Sequence, residues 1–100
     1  MDVTVENRSK YPAMDVSVSA WNGNNYQERL EPEEPVDLVS DWADGGLQHY
    51  MDFSYTLNDV AYRTGDDDEA AQNPKRFKPL KRVKDGGHIS IRIFEDHWEW

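Results

Sequence analysis

An alternation of apolar and polar residues from Leu47 to Leu57, within the stretch that runs to Arg63, constrains the fold of this chain more than any other feature. The apolar or aromatic residues at odd positions are Leu47, Met51, Phe53, Tyr55 and Leu57. A period of two predicts a β-strand with one buried and one solvated face. Asn58-Asp59 suits a two-residue hairpin turn, because both residue types tolerate positive φ angles. We therefore expect a central β-hairpin whose buried face is covered by other strands.

Two residues depart from this alternation. His49 is a polar residue on the inward register, and Tyr50 is an aromatic residue on the outward register. We expect His49 to be held by a hydrogen bond near the rim of the core, rather than to act as a catalyst or a metal ligand. If function involves this strand, we expect it at Tyr50, on the surface.

The same pattern recurs along the chain and predicts the other strands. They are expected at residues 2–6, 14–20, 26–30, 36–42 and 88–94, with an irregular edge strand in the basic segment 75–84. Asn22-Gly23 is a strong hairpin signal, and Tyr26 and Leu30 are expected on one face of the third strand. We predict an all-β, single-domain antiparallel β-sandwich over residues 1–100, with seven to eight short strands in an immunoglobulin-like or jelly-roll-like layout. A small β-barrel is the alternative.

Charge is unevenly distributed along the sequence. The net charge is −9, with 16 acidic and 4 basic residues in 1–69 and with 4 acidic and 7 basic residues in 70–100. Such a field repels the phosphates of nucleic acids and anionic lipid headgroups. It favours basic proteins or cations, or serves only to keep the surface hydrated. We therefore expect no direct binding of nucleic acid.

The sequence contains no cysteine, which excludes disulfides, thiolate metal ligands and cysteine nucleophiles. This composition favours a reducing compartment. The N-terminal sequence shows no basic segment followed by an apolar run, and no apolar run is long enough for a transmembrane helix. We expect a soluble, cytoplasmic protein without a membrane span.

Residues 64–74 are expected to form a mobile acidic surface loop. The carboxylates in this loop are Asp66, Asp67, Asp68 and Glu69. They suit Ca²⁺ by chemistry, but their spacing lacks the arrangement of an EF-hand loop. A solvated loop is therefore preferred, and no metal site or cofactor is predicted. The basic segment has the composition to bind a nucleic acid strand through Phe77, but internal pairing with the acidic loop is preferred.

The remaining candidate binding residues are aromatic. They lie on outward strand registers or in the C-terminal aromatic tail (residues 95–100), and they are Trp21, Tyr50, Phe94, Trp98 and Trp100. An exposed aromatic patch is typical of protein, carbohydrate or lipid contacts. In the alternative arrangement, the tail folds back, and Trp98 and Trp100 cover this patch as a small second core.

No nucleophile elbow, phosphate-binding glycine loop or zinc-binding helix motif occurs in the sequence. We therefore predict a non-enzymatic acidic domain that docks on a basic surface of a protein partner, in an inhibitory, immunity-type or decoy role. The predicted binding residues are the five aromatic candidates and the four carboxylates. The alternative is a β-sandwich that binds carbohydrate or lipid headgroups, with Ca²⁺ held by the acidic loop.

Overall fold

The structure is a computed structural model that describes residues 2–20, 23–39, 50–82 and 87–100. The strands are β1 (Asp2–Asn7), β2 (Ala13–Ala20), β3 (Gly23–Leu30), β4 (Pro35–Val39), β5 (Tyr50–Leu57), β6 (Val60–Gly65), β7 (Phe77–Pro79), β8 (Lys81–Arg82), β9 (His88–Ile93) and β10 (Trp98–Glu99). One short helix, α1 (Asp67–Gln72), lies between β6 and β7. None of the described residues form a helix with the length and apolar character needed to cross a membrane.

Two mixed β-sheets pack against each other and confirm the predicted all-β sandwich in a single domain. The smaller sheet has the order β10-β9-β1-β4, and the larger has the order β3-β2-β5-β6-β7, with β8 paired to β5. The prediction of purely antiparallel pairing is wrong at two places. β1 pairs parallel with β9, and β6 pairs parallel with β7. Both pairs join segments separated by long connections, and residue alternation carries no information on their direction.

The central hairpin forms as predicted in the residues that the structure describes. The inward residues of β5 are all buried, namely Met51, Phe53, Tyr55 and Leu57. Asn58 and Asp59 have φ angles of 48° and 63°, as the two central residues of a type I′ turn require. The smaller sheet covers this face with Val3, Val5, Ile89, Ile91 and Ile93, which belong to the same core. Leu47, His49 and Trp42 lie outside the described residues.

Alternation along β2 is interrupted at Asp15, which has a φ angle of 52°. The register of β2 against β5 shifts between Met14 and Ser17, as in a β-bulge. β3 follows β2, so Tyr26 lies opposite Ser17, outside the core, whereas Leu30 lies in the core. Tyr26 is 56% exposed and Leu30 is fully buried. The prediction that these two residues share a face is therefore wrong, because it assumed unbroken alternation.

Residues 64–74 were expected to form a mobile acidic surface loop, and in the structure they contain the end of β6 and the helix α1. The Asp66 carboxylate accepts a hydrogen bond from the Glu69 backbone N–H at 2.8 Å, and the Glu69 carboxylate accepts one from the Asp66 N–H at 3.3 Å. This reciprocal capping box orders the helix start. The basic segment forms β7, at the edge of the larger sheet, and β8. Its last residues, Val83 and Lys84, lie outside the described residues.

Edge strands of opposite sheets contact each other at both sides of the sandwich. At one side, the Asn25 side chain of β3 donates to the Leu38 carbonyl of β4 at 2.6 Å. At the other side, the Trp98 indole of β10 donates to the Arg76 carbonyl, just before β7, at 3.1 Å. Trp98 is fully buried and belongs to the principal core. The C-terminal aromatic tail therefore folds back, but into the main core rather than over a separate one.

The Tyr55 hydroxyl is a buried polar group with no hydrogen-bond partner among the described residues. Burial raises the pKa of this phenol far above its ordinary value. An unpaired buried hydroxyl costs about 1–3 kcal/mol. We expect Tyr55→Phe to raise the free energy of unfolding by about 1 kcal/mol in urea denaturation, because the ring is kept and the hydroxyl is removed. Tyr62→Phe is the control, since Tyr62 stacks on Tyr55 but its hydroxyl is not a buried group without a partner. A loss of stability in Tyr55→Phe alone would contradict the prediction.

Candidate functional site

A surface groove lies where the end of β7 and the start of α1 approach the start of β5. It has a volume of about 360 Å³ and is lined by Tyr50, Gly65, Asp66, Asp67, Pro79 and Leu80. We name it the Tyr50 groove. Tyr50 is 54% exposed and Leu80 is 43% exposed, whereas most large apolar side chains among the described residues are buried. The groove therefore combines an accessible apolar surface with two carboxylates.

The apolar part of the Tyr50 groove is positioned by the pairing of β5 with β8. Tyr50 lies opposite Arg82, and Met51 lies opposite Lys81. Successive side chains of a strand point to opposite faces, so the burial of Met51 places Tyr50 on the outer surface. Leu80 follows Pro79, the last residue of β7, and stands between the two short strands.

The acidic part of the groove is positioned by the start of α1. Gly65 precedes the capping residue, and a Cβ atom at Gly65 would lie only 2.9 Å from Glu69 Oε1 and 3.0 Å from Arg63 Nη1. A side chain at this position would therefore displace the flexible ends of Glu69 and Arg63. The capping box between Asp66 and Glu69 orders the start of the helix and thereby positions Asp66 and Asp67.

The four carboxylates of this segment have different partners. Glu69 is paired with Arg63. The hydrogen bond from Arg63, assisted by the Asp66 backbone N–H, holds the pKa of Glu69 below its ordinary value. Asp66 is the helix cap, and Asp67 and Asp68 are exposed without an ion pair in the described parts of the chain. Asp67 therefore presents an uncompensated negative charge at the groove.

Arg63 also lies over the Phe77 ring, with its guanidinium carbon 4.7 Å from the ring centroid. Arg76 approaches the same ring at 5.0 Å and donates a hydrogen bond to the Ala61 carbonyl at 2.9 Å. These contacts hold β7 against β6. Glu69 and Arg63 thus stabilise β7 and the start of α1, which supply residues of the Tyr50 groove, although neither residue lines the groove.

The described carboxylates do not converge on a common point. No group of three or more His, Asp or Glu side chains within the described residues is arranged to hold a metal ion. Successive helix residues such as Asp67 and Asp68 point about 100° apart around the helix axis. Asp66 and Glu69 are already engaged by the capping box. The groove is therefore suited to a cationic group at its rim rather than to an enclosed ion.

A lysine or arginine side chain has the complementary chemistry. Its aliphatic stem packs on apolar surface while its charged head remains accessible to carboxylates. Its head also interacts favourably with the face of an aromatic ring, which Tyr50 supplies here. Tyr50, Asp66 and Asp67, which were all proposed from the sequence, are the residues that the structure brings together at this site.

The other predicted aromatic residues do not join this groove. Phe94 follows β9 in the smaller sheet, where it stacks on His97 with ring centroids 4.7 Å apart. Tyr50 belongs to the larger sheet, so these two rings do not lie on neighbouring strands, which a common aromatic patch would have required. Trp21 lies outside the described residues.

The two tryptophans of the C-terminal aromatic tail have different environments. Trp98 is fully buried, with its ring centroid 5.0 Å from that of Phe53. The expectation that Trp98 belongs to a contact surface is therefore corrected, since a partner cannot reach it. Trp100 packs edge-on against Trp98 and is only partly buried, so it retains an accessible surface.

Sequence reasoning missed the contribution of Leu80 and the exposure of Tyr26. Leu80 falls in the irregular basic segment, where no period exists, but an apolar residue directly after Pro79 at a sheet edge was a usable signal. The exposure of Tyr26 follows from the bulge at Asp15, whose carboxylate accepts a hydrogen bond from the Tyr26 hydroxyl. This bond raises the pKa of Tyr26.

Comparison with known protein families, with curated proteins and with solved structures returns no match. The function of this protein is therefore inferred from the geometry and charge of its own surface.

Proposed function

We propose that this protein is a non-enzymatic docking domain that binds a basic surface of a protein partner through the Tyr50 groove. The proposal rests on one observation: the exposed ring of Tyr50 shares a groove with the carboxylates of Asp66 and Asp67. A lysine or arginine of the partner would place its stem against Tyr50 and Leu80 and its charge beside the carboxylates. The net charge of −9 supports the same class of partner.

The two parts of the groove contribute differently to binding. An exposed tyrosine at the centre of an interface has a large contact area and loses few rotamers, and such residues contribute about 2 kcal/mol or more when they become buried. Rim carboxylates act mainly on the association rate and on the choice of partner. Their attraction is screened beyond about 8 Å at physiological ionic strength, so binding is expected to weaken as salt is added.

Binding is tested by NMR titration of the isotopically labelled chain with the basic peptide acetyl-Leu-Lys-Leu-Arg-Leu-Lys-amide. We expect shifts at Tyr50, Asp66, Asp67 and Leu80, and affinity that falls with added salt. Tyr50→Ala should weaken binding about fivefold to thirtyfold, which corresponds to about 1–2 kcal/mol. Tyr26→Ala is the matched control, because Tyr26 is equally exposed and also lies beside a carboxylate.

A second variant, at Arg82, is expected to change the affinity in the opposite direction. It lies opposite Tyr50 in the β5–β8 register and is exposed. Arg82→Gln removes a positive charge beside the groove, so it should strengthen binding of the basic peptide by about twofold to threefold. Shifts that centre on Tyr26, or affinity that does not change with salt, would count against the proposal.

A neutral carbohydrate is the second candidate ligand for the same groove. An exposed ring beside carboxylate acceptors suits a sugar, whose hydroxyls donate hydrogen bonds and whose apolar face packs on the ring. A neutral oligosaccharide such as cellohexaose would then shift Tyr50 and Asp67 signals independently of salt. Under this alternative, Arg82→Gln should leave the affinity unchanged, which separates it from docking of a basic protein.

A further inference from the structure

A second groove lies between β7 of the larger sheet and the β9–β10 hairpin of the smaller sheet. Its volume is about 450 Å³, and its lining includes Phe77, Lys78, Arg92, Glu99 and Trp100. We name it the Trp100 groove. Pro79 is the one lining residue that it shares with the Tyr50 groove. The two grooves are thus adjacent but face different elements.

The cations of the Trp100 groove differ in how their charge is compensated. Arg92 is paired with Glu99 at 3.3 Å across the β9–β10 hairpin. Lys78 donates a hydrogen bond to the Pro74 carbonyl at 3.3 Å, and its Nζ lies 5.7 Å from the centroid of the Trp98 ring. Within the described residues, Lys78 contacts no carboxylate. Its ammonium group therefore interacts with the Pro74 carbonyl and with the Trp98 ring rather than with a carboxylate.

Lys81 does not line the groove, but it approaches the ring of Trp100, which does. Its Nζ lies 5.7 Å from the centroid of the Trp100 ring, and it forms no ion pair with a described carboxylate. The Trp100 ring packs against the Trp98 ring, with centroids 4.9 Å apart, so the two rings that the lysines approach are adjacent. In a chain that carries a net charge of −9, these two lysines, with no carboxylate partner among the described residues, place positive charge beside the adjoining rings of Trp98 and Trp100.

Charge and shape together restrict what this groove can take. Two lysines favour a carboxylate, and the accessible face of Trp100 favours an apolar group next to it. A nucleic acid strand carries a charge on every nucleotide, and it would have to pass Glu99 and the acidic surface beyond. A protein segment carries its carboxylates singly and supplies apolar side chains between them. The groove therefore fits an acidic and partly apolar peptide better than a continuous polyanion.

We propose that the Trp100 groove binds a carboxylate-bearing, partly apolar segment of a partner protein, with its carboxylate on Lys78 and Lys81 and its apolar side chain on Trp100. This site is separate from the Tyr50 groove and takes the opposite charge. A single partner with neighbouring basic and acidic residues would span both grooves across Pro79. The proposal does not depend on the Tyr50 groove, because it rests on different residues.

The test is an NMR titration of the labelled chain with acetyl-Glu-Leu-Glu-Leu-Glu-amide. We expect shifts at Lys78 and Lys81 and at the Trp100 indole. The double variant Lys78→Gln/Lys81→Gln should lower the affinity about fivefold to tenfold. Arg29→Gln is the control for loss of a positive charge at a distant place, since Arg29 lies on β3, at the opposite edge of the same sheet, and it should leave the affinity unchanged.

Three results would overturn this proposal. The first is the absence of shifts in the Trp100 groove at peptide concentrations of about 1 mM. The second is tighter binding of a deoxythymidine oligomer of the same charge, which would assign the groove to nucleic acid. The third is equal binding by the double lysine variant, provided that its spectrum shows a folded chain. Tyr50→Ala should not affect binding of the acidic peptide, so failure of one groove is distinguishable from failure of the other.

Discussion

Replacement of Trp98 by alanine is expected to lower the free energy of unfolding by about 3–5 kcal/mol, which is the usual cost of removing a large buried aromatic side chain. Trp98 has no accessible surface, and its ring contacts those of Phe53, Tyr55 and Trp100. Its indole also donates a hydrogen bond to the Arg76 carbonyl, so the substitution removes one of the contacts between the two sheets at this edge. Domains of this size have a total stability of about 5–15 kcal/mol, and the loss is therefore a large fraction.

Urea denaturation monitored by circular dichroism measures this effect. Trp100→Ala is the matched control, since Trp100 is adjacent but only partly buried, and it should cost about 1 kcal/mol. Trp98→Phe keeps an aromatic ring but loses the indole donor, so an intermediate loss is expected. Equal effects of Trp98→Ala and Trp100→Ala would show that the tail does not contribute a core residue.

Replacement of Asn7 by alanine is expected to lower the free energy of unfolding by about 2–4 kcal/mol, because it removes several buried hydrogen bonds at once. Asn7 is fully buried at the end of β1. Its Nδ2 donates to the Tyr11 and Leu30 carbonyls at 2.8 and 3.0 Å. Its Oδ1 accepts from the Ser9 backbone N–H and hydroxyl at 2.9 and 2.7 Å. These bonds tie the loop after β1 to the end of β3.

Two variants separate the hydrogen-bonding role of Asn7 from a general effect of substitution. Asn7→Asp keeps acceptors toward Ser9 but loses the two donors, and it buries a charge, so it should also be strongly destabilising. Asn24→Ala removes an exposed asparagine from β3 and should change stability by less than about 0.5 kcal/mol. Chemical denaturation of the three variants tests the prediction; a loss below about 1 kcal/mol in Asn7→Ala would contradict it.

The strands of this fold were predictable where one face is buried and the backbone is regular. Burial on one face imposes a period of two, and the residues of β5 and β9 alternate between buried and more exposed without interruption. The Asn58-Asp59 turn was equally predictable from the sequence, because its positive φ angles restrict the residue types that can occupy it. These are local constraints, and a local pattern is sufficient to express them.

Features that depend on distant parts of the chain were not predictable from the pattern. Nothing in the sequence around Asn7 indicates burial, because its structural role depends on the Leu30 carbonyl, which is 23 residues away in the chain. Trp98 has no periodic neighbours, so nothing local distinguishes burial from exposure. Asp15 interrupts alternation by one residue, and a one-residue slip exchanges the two faces of the strand, which moved Tyr26 to the outside.

The candidate site was predictable in part for the same reason. Tyr50 breaks the alternation of its own strand, and this local exception identified it. The carboxylates Asp66 and Asp67 were visible as a charge run, although their ordering by the helix cap was not foreseen. Leu80 joins them only through the pairing of β8 with β5, which the sequence does not specify.

The parallel pairing of β1 with β9 has a consequence for how the chain folds. Each residue of β1 pairs with a partner 86 positions later, from Asp2 with His88 to Asn7 with Ile93. Closing so long a loop costs more chain entropy than closing the β5–β6 hairpin, and folds rich in such contacts cross their barrier slowly, in milliseconds to seconds. The larger sheet is thus the natural place for nucleation. We expect the smaller sheet to form late in folding. Until it forms, the apolar face of β5 is exposed to solvent, and the intermediate is prone to aggregate.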